Sequence, residues 1–357
     1  MLNFTVGPVQ MSDTIRQIGF EQIPYFRTEE FSNLMLECNR LMLRFSDAPD
    51  GSQSLFLTGS GSSAMEASIM NLFNKNDRLL IVNGGNFGER FVKICKIHKI
   101  PYQEIKLEYG QPLRELDLEK YANKKYTGFL VNIHETSTGI LYDLDLISDF
   151  CNRNNLFLVV DAISSFLADS FSMKKNNVQV MITASQKALA CPPGIGIIVV
   201  TPEAIDRIKR NKVSSLYFDL NEYLNNSYRG QTPFTPAVSI LIQLYSRLRE
   251  IDNNGGVDTE ISRVRMLAQH FRKEIESLPL KIPFLSLSNA ITPIIPENIS
   301  AYELFVILKN EYDIWVCPNG GELKDKIFRV GHIGFLNIED NEKLILAFKD
   351  LCRRNIL

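Results

Sequence analysis

Long hydrophobic runs, paired cysteines and clustered histidines are missing from this sequence, and each absence excludes a class of protein. No stretch approaches the roughly 20 apolar residues that cross a bilayer. The start, MLNFTVGPVQMSD, lacks the basic and apolar segments of a signal peptide. With a net charge of −2, no overall field favours nucleic acid. We therefore expect a cytoplasmic protein that binds neither membrane nor nucleic acid.

The six cysteines and four histidines are scattered along the chain. Without C-x-x-C spacing or a secretion signal, the cysteines are expected to be reduced and mostly buried. The histidines make no zinc-binding pattern, so we predict no metal. What is present is an ordinary globular composition, 45% hydrophobic and 22% charged. A chain of 357 residues usually forms two domains, or one large and one small.

Six short apolar runs predict the strands of a mostly parallel sheet. Their hydrophobicity is continuous rather than alternating, which is typical of strands buried on both faces. Amphipathic helical patterns over residues 62–73 and 144–154 lie between them, so the alternation predicts an α/β domain with helices on both faces of the sheet. The predicted strands are 54–59, 78–83, 128–133, 156–161, 178–183 and 196–200.

The pattern changes after about residue 236. Long amphipathic helices come first, and a mixture of helices and strands follows, which predicts a small α+β domain. We predict a large domain over 12–236 and a small domain over 237–357 that includes the amino-terminal segment 1–11. The predicted elements of this part are helices 236–252, 258–278, 301–312 and 340–355, and strands 314–318 and 326–331.

Glycines and serines follow the first predicted strand in GSGSSAMEA and open a helix. Free backbone N–H groups and the helix dipole make an anion site there, which small side chains allow a phosphate to reach. Gly59, Gly61 and Ala64 also fit the G-x-G-x-x-A dinucleotide fingerprint. That fingerprint requires an acidic residue at the end of the next strand, which here is Asn83, so the sequence argues against NAD.

Other strand ends carry further candidate side chains, and the carboxyl ends of parallel strands meet at one edge of a sheet. Phe87 stands among glycines in GGNFGER and could stack on a flat cofactor, while HETSTG supplies hydroxyls. Asp161 ends a buried strand, where a carboxylate needs a cationic partner. Lys187 lies between two apolar runs, and a lysine in an apolar pocket has a lowered pKa and can act as a nucleophile. One ligand accounts for all of these features, namely pyridoxal 5'-phosphate held as a lysine Schiff base.

The motifs GSGSSAMEA, NGGNFGER, HETSTG, VVDAISSF, SQK and FRVGHIG resemble the landmarks of class V aminotransferases. The resemblance extends from TVGP near the start of the chain to FRVGHIG near its end. It implies the fold type I architecture. In that architecture, a large domain holds a mostly parallel mixed sheet sandwiched by helices, and a smaller C-terminal α+β domain follows.

The resemblance also implies a role for each landmark residue. Lys187 forms the Schiff base and shuttles a proton on the substrate, Asp161 keeps the ring nitrogen protonated, and Arg329 grips the substrate carboxylate. Thr232, in RGQTPFTP, resembles a threonine that reaches the phosphate of the neighbouring subunit, which implies a homodimer with shared active sites. The other implied cofactor contacts are Ser60, Gly61, Ser62 and Gln186 at the phosphate, Thr136 at the ring hydroxyl, and Phe87 and Ile163 on the two ring faces.

The motifs favour two substrate groups within the family. HETSTG and SSLYFDL resemble 2-aminoethylphosphonate–pyruvate transaminases, whereas PYFRTEEF resembles alanine/serine–glyoxylate aminotransferases, with Phe26 where a histidine is common. Arg27 in this stretch could contact an anionic substrate or pair with Glu30. We expect a small amino donor, either 2-aminoethylphosphonate-like or serine or alanine, and pyruvate or glyoxylate as the acceptor.

A cysteine desulfurase or related lyase of the same family is the alternative. In such enzymes a mobile cysteine attacks the sulfur of the bound substrate. Cys317, in WVCPNGGELKD, is expected in an exposed loop. No basic residue is adjacent to it in the sequence to lower the pKa of its thiol.

Overall fold

The computed structural model describes all 357 residues. The strands are β1 (Leu2–Phe4), β2 (Gln53–Thr58), β3 (Leu79–Asn83), β4 (Tyr102–Lys106), β5 (Gly128–Asn132), β6 (His134–Glu135), β7 (Ile140–Leu141), β8 (Phe157–Asp161), β9 (Val180–Ala184), β10 (Ile195–Val200), β11 (Leu280–Lys281), β12 (Ile291–Pro296), β13 (Ile314–Pro318) and β14 (Phe328–Gly331). The helices are α1 (Asp13–Ile18), α2 (Glu29–Phe45), α3 (Gly61–Leu72), α4 (Gly88–Ile97), α5 (Glu115–Glu119), α6 (Leu144–Arg153), α7 (Pro202–Arg210), α8 (Leu220–Ser227), α9 (Val238–Asn253), α10 (Gly256–Glu274), α11 (Ala301–Tyr312) and α12 (Ile338–Arg353).

Seven strands form the central sheet, in the order β2-β10-β9-β8-β5-β3-β4. Neighbouring strands run parallel except for β10, which is antiparallel to both β2 and β9. Both faces are covered, because Leu79 and Ile81 of β3 pack into one core while Leu80 and Val82 pack into another. This confirms the predicted mostly parallel mixed sheet between layers of helices, and it explains the continuous apolar pattern of the strands.

A second sheet has five strands in the order β1-β13-β14-β12-β11. Its first strand, β1, pairs parallel with β13, so the amino terminus packs with the carboxy-terminal part of the chain. Phe4 of β1 shares a buried core with Phe328 of β14 and Phe348 of α12. This layer is the predicted smaller α+β unit, while the division at residue 236 stays a prediction.

All six predicted strands of the central sheet match an observed strand to within two residues. Of the strands with five or more residues, β4 and β12 were not predicted, and the short strands β1, β6, β7 and β11 were not predicted either. The edge strand β4 is half-exposed, so YQEIK lacks a continuous apolar pattern. The strand β12 contains Pro293 and Pro296, and a proline cannot donate to a strand ladder. Local pattern therefore fails where a strand is exposed or carries proline.

None of the helices combines the length and the apolar character needed to span a membrane. No group of three or more His, Cys, Asp or Glu side chains is arranged so that it could hold a metal ion. A cytoplasmic location stays a prediction.

Candidate active site

Three predicted site segments leave the carboxyl ends of adjacent strands. The strand β8 ends at Asp161, β9 leads into the turn that carries Lys187, and β5 leads into the HETSTG turn. These three strands are neighbours and run parallel. Their carboxyl ends therefore meet at one edge of the sheet, which is where open α/β sheets bind their ligands.

Lys187 is half-buried in the turn between β9 and β10. Its Nζ donates a hydrogen bond to the carbonyl of Val6 at 2.6 Å. The pKa of Lys187 is lowered to about 8, chiefly by burial and in addition by the positive charges of Arg329 and Arg90. An appreciable neutral fraction near neutral pH is what a nucleophilic amine requires.

The amino-terminal TVGP segment covers this lysine. Gly7 has a φ angle of +135°, and a Cβ at this position would lie 2.8 Å from Lys187 Nζ. A larger residue would strain the backbone and push against the amine. Val6 and Lys187 are 181 residues apart in the chain, so no local pattern predicts their contact.

Asp161 is a buried carboxyl group with an incomplete set of partners. Its Oδ1 accepts the N–H of Ile163 at 2.8 Å, and Oδ2 accepts no hydrogen bond from the protein. Burial raises the pKa of Asp161 to about 7, although the bond from Ile163 and the charges of Arg90 and Lys187 favour the ionised form. A further cation at Oδ2 would stabilise the carboxylate. The position therefore suits a protonated ring nitrogen.

The GSGSS turn presents backbone N–H groups at the start of α3. Ser60 is the N-cap residue, but its side chain makes no capping hydrogen bond. The N–H groups of Gly61 and Ser62 therefore have no acceptor in the protein, whereas the N–H of Ser63 donates to the Ser60 carbonyl at 2.9 Å. Gly61 packs directly on Ile163, because any Cβ at Gly61 would collide with the Ile163 Cδ1 atom. Gln186 precedes Lys187 and has a buried amide oxygen without a partner.

Phe87 is held in place by a buried carboxylate. Glu135 accepts the backbone N–H groups of Phe87 and Gly88, each at 3.2 Å, where α4 begins. It also accepts Asn132 Nδ2 at 3.0 Å and the hydroxyl of Ser137. In the sequence Glu135 is only part of a polar turn, so its function as the support of Phe87 is visible only in three dimensions.

Arg90 joins two of the predicted cofactor residues and was not predicted itself. It lies in the first turn of α4, and its Nη1 donates to Ser62 Oγ at 2.9 Å. Its guanidinium carbon lies 4.9 Å from the centroid of the Phe87 ring. The NFGER motif contains this arginine, but nothing in its local pattern distinguishes it from an exposed helix residue.

Arg329, on β14, is buried and faces the HETSTG turn. It donates from Nη1 to the carbonyl of Thr136 at 3.0 Å and from Nη2 to the carbonyl of Pro318 at 2.8 Å. Thr136 Oγ1 in turn bonds Ser164 Oγ at 2.6 Å. The Nε of Arg329 is buried without an acceptor. Two backbone carbonyls thus orient the guanidinium, which retains donors for an anion.

The expectation that Cys317 lies in an exposed loop is wrong. Cys317 is part of β13 and pairs with Arg329 across the strands β13 and β14. Arg329 Nη2 donates to the Cys317 Sγ atom at 3.2 Å. A basic residue is therefore adjacent to this thiol in space, although none is adjacent in the sequence.

Thr232 forms no hydrogen bond with any of the other candidate residues. Its hydroxyl donates to the carbonyl of Phe234 at 2.7 Å, and its own carbonyl accepts Arg27 Nη1 at 2.9 Å. Arg27 also donates to Gln231 Oε1 at 3.0 Å, so the alternative in which it pairs with Glu30 is wrong. Through these hydrogen bonds Arg27 connects the segment after residue 20 to the RGQTPFTP segment.

Comparisons with known proteins identify relatives along most of the chain. The family model described as aminotransferase class-V matches residues 25–316. The soluble hydrogenase 42 kDa subunit of Anabaena cylindrica is 31% identical, over 88% of this chain and 83% of that protein. The serine–glyoxylate aminotransferase of Arabidopsis thaliana is 25% identical, over 94% of this chain and 86% of that protein. The 2-aminoethylphosphonate–pyruvate transaminase of Pseudomonas aeruginosa is 30% identical, over 64% of this chain and 62% of that protein.

Solved structures share the whole architecture. The subgroup IV aspartate aminotransferase of Thermus thermophilus superposes with a TM-score of 0.92 at 25% identity, over 100% of both chains. A cysteine desulfurase of Thermococcus onnurineus superposes with a TM-score of 0.77 at 14% identity, over 99% of this chain and 95% of that one, so this likeness concerns the fold alone. The predicted arrangement of the two sheets and their helices is confirmed.

Proposed function

The chain belongs to the class V aminotransferase family and is a transaminase that uses pyridoxal 5'-phosphate, and on this premise we propose its reaction and its catalytic residues. It moves an amino group from a small amino donor to pyruvate or glyoxylate, with Lys187 and Asp161 at the reacting centre. One observation carries the proposal: Asp161 ends β8 and Lys187 follows the neighbouring parallel strand β9, so a buried carboxyl group and a half-buried amine stand at the same edge of the sheet.

The residues at this edge of the central sheet fit the cofactor. The backbone N–H groups of Gly61 and Ser62 have no acceptor in the protein and suit a phosphate. Asp161 Oδ2 has no protein donor, which suits a protonated ring nitrogen. Phe87 offers a flat face, and Lys187 offers an amine whose pKa is lowered to about 8. When bound, the cofactor supplies an electron-withdrawing ring that stabilises negative charge on the substrate Cα.

The side chains of the protein then bind, orient and move one proton. Asp161 would keep the ring nitrogen protonated, and the Thr136 hydroxyl would contact the ring hydroxyl. Lys187 would hold the cofactor covalently and, when free, carry the proton at the substrate Cα. The remaining proposed contacts are Phe87 and Ile163 on the two ring faces, and Ser60, Gly61, Ser62 and Gln186 at the phosphate.

Arg329 is the proposed anchor for the substrate carboxylate. We expect Arg329→Ala to raise KM for 2-oxo acids by about 10- to 100-fold with a smaller change in kcat, because a charge-assisted contact is lost. Steady-state kinetics with pyruvate and with glyoxylate measure this. Arg353→Ala, which removes an arginine exposed at the end of α12, is the control and should leave KM unchanged. An unchanged KM in Arg329→Ala would place the carboxylate site elsewhere.

The donor and the acceptor are tested by a substrate panel. Purified protein would be assayed with 2-aminoethylphosphonate, serine, alanine and cysteine as donors, each against pyruvate and glyoxylate. We expect formation of the aminated acceptor to depend on both substrates, with one of the first three donors preferred. Sulfide release from cysteine without dependence on a 2-oxo acid would overturn the proposal in favour of a desulfurase.

We also propose a homodimer in which Thr232 completes the phosphate site of the partner subunit. Exposed apolar side chains support an interface, since Phe20 is 89%, Tyr25 69% and Leu216 77% exposed. Arg27 bonds the segment of Phe20 and Tyr25 to the Thr232 segment. The hydroxyl of Tyr217 donates a hydrogen bond to the carbonyl of Thr58 at 3.2 Å, and Thr58 is the residue directly before the GSGSS turn. A second copy on this surface would therefore lie beside the cofactor site.

The dimer is tested by introducing charge into this surface. We expect Phe20→Asp combined with Leu216→Asp to shift the light-scattering mass from dimer to monomer and to weaken cofactor binding, because two charges from each subunit would be buried at the interface. Leu346→Asp, at an apolar residue that is 59% exposed on α12, is the matched control and should stay dimeric. A wild-type chain that is monomeric at micromolar concentration would refute the shared site.

A further inference from the structure

Neither a lysine nor an arginine occurs in the GSGSS turn that is proposed to bind the cofactor phosphate. A phosphate monoester carries close to two negative charges at neutral pH. Resting on the proposed function of the site, we propose that Arg90 supplies the missing positive charge and binds this phosphate directly. Arg90 would then be a cofactor-binding residue in addition to those implied by the sequence motifs.

The position of Arg90 links the two parts of the site that must hold the cofactor. Its Nη1 donates to the hydroxyl of Ser62, the second residue of α3, at 2.9 Å. Its guanidinium carbon lies 4.9 Å from the centre of the Phe87 ring. An anion bound at the N–H groups of α3 would therefore lie next to the guanidinium, while the cofactor ring would lie next to Phe87.

Arg90 forms no ion pair within the chain. It is half-buried, and the carboxylate of its neighbour Glu89 accepts a hydrogen bond from Asn83 instead. Of its five N–H donors only one has a protein acceptor, the Ser62 hydroxyl. A partly desolvated cation without a partner is costly, and a bound anion would offset that cost.

The field of Arg90 also reaches the reacting centre. Its positive charge favours the ionised form of Asp161 and the neutral form of Lys187. The hydrogen bond to Ser62 and the contact with the Phe87 ring place the guanidinium on the side of α4 that faces the proposed phosphate site. Its planar fork can bind two phosphate oxygens at once, which a lysine at this position could not do.

The test compares two ligands that differ only in the phosphate, pyridoxal 5'-phosphate and unphosphorylated pyridoxal. Both would be titrated by absorbance into the full-length chain after removal of its cofactor. We expect Arg90→Met to weaken binding of pyridoxal 5'-phosphate by about 30-fold and binding of pyridoxal by less than about twofold. Arg90→Lys, which keeps the charge but not the fork, should lose about three- to fivefold for the phosphorylated ligand only.

Arg78→Met is the matched control, because Arg78 lies 4.5 Å from the centre of the Tyr126 ring at the opposite end of β3 from the site. It should change neither affinity. Equal losses for both ligands in Arg90→Met would overturn the proposal by showing that Arg90 only supports Phe87. No loss for either ligand would overturn it as well. A wild-type chain that binds both ligands equally would instead refute the phosphate site itself. Thermal melting shows whether Arg90→Met is folded. If it is not, the affinities of Arg90→Lys for the two ligands decide the proposal.

Discussion

Replacing Lys187 by alanine is expected to abolish transamination and to remove the yellow colour of the purified protein. The amine at this position is the proposed covalent attachment point and the proposed proton carrier, so both functions are lost together. We expect kcat to fall by roughly 10⁴-fold or more. Absorbance spectra and single-turnover assays measure the two losses independently.

Lys175→Ala is the control for this experiment. Lys175 is exposed and pairs with Asp145 at 2.8 Å on the surface, so its loss should change neither the colour nor the rate. If Lys187→Ala kept the normal rate with its cofactor bound, the assignment of the reacting amine would be wrong.

Replacing Asp161 by asparagine is expected to lower kcat by about 100- to 1,000-fold while the cofactor still binds. Asparagine has nearly the same shape but no negative charge, so it cannot keep a ring nitrogen protonated. The loss should therefore appear in kcat at saturating substrate and not in the stoichiometry of bound cofactor. Asp145→Asn, at an exposed carboxylate, is the control and should keep full activity. Retained activity in Asp161→Asn would remove the argument for a protonated ring.

Without bound cofactor, Asp161→Asn should be more stable than the wild-type protein. Burial raises the pKa of Asp161 from 3.8 to about 7, so the folded state favours the neutral form more than the unfolded state does. The stability that this group contributes is complete below pH 4 and is lost as the pH rises towards 7. Cofactor-free Asp161→Asn should thus be more stable than wild type at pH 8, by on the order of a few kcal/mol.

The pH dependence gives this prediction its test. Denaturant unfolding of both cofactor-free proteins should show a difference that shrinks as the pH falls from 7 to 4. Bound cofactor should reverse the sign, because the carboxylate then gains a cationic partner. A difference that does not vary with pH would mean that Asp161 is not buried in the way the structure shows.

The family, the cofactor and the positions of most central strands along the chain were predictable from the sequence. Each predicted strand of the central sheet was a continuous apolar run, since both of its faces are buried, and such runs are readable locally. Asp161 and Lys187 could be placed near each other because parallel strands bring their carboxyl ends to one edge. The glycines and serines before α3 predicted the start of a helix, because this signal also lies within a few neighbouring residues.

The supporting contacts were not predictable, because they join residues far apart in the chain. Glu135 receives the N–H groups of Phe87 and Gly88 from 48 and 47 positions away. Arg90 donates to Ser62, which lies 28 positions away in the chain, and the absence of an ion pair at Arg90 depends on how the surrounding elements pack. The sequence offered each of these residues only as a polar or charged group in a turn or helix.

By itself the sequence determined which side chains stand at the ends of the buried strands, because apolar periodicity and strand-end chemistry are encoded within a few residues. Only the tertiary structure decided what these side chains touch. It set Lys187 Nζ against the carbonyl of Val6 and Arg329 against that of Thr136, 193 residues away. It also placed Cys317 beside Arg329, on a strand that the sequence predicts but whose partner it does not. Hydrogen bonds of this kind depend on how the two sheets pack together, and no local pattern records that packing.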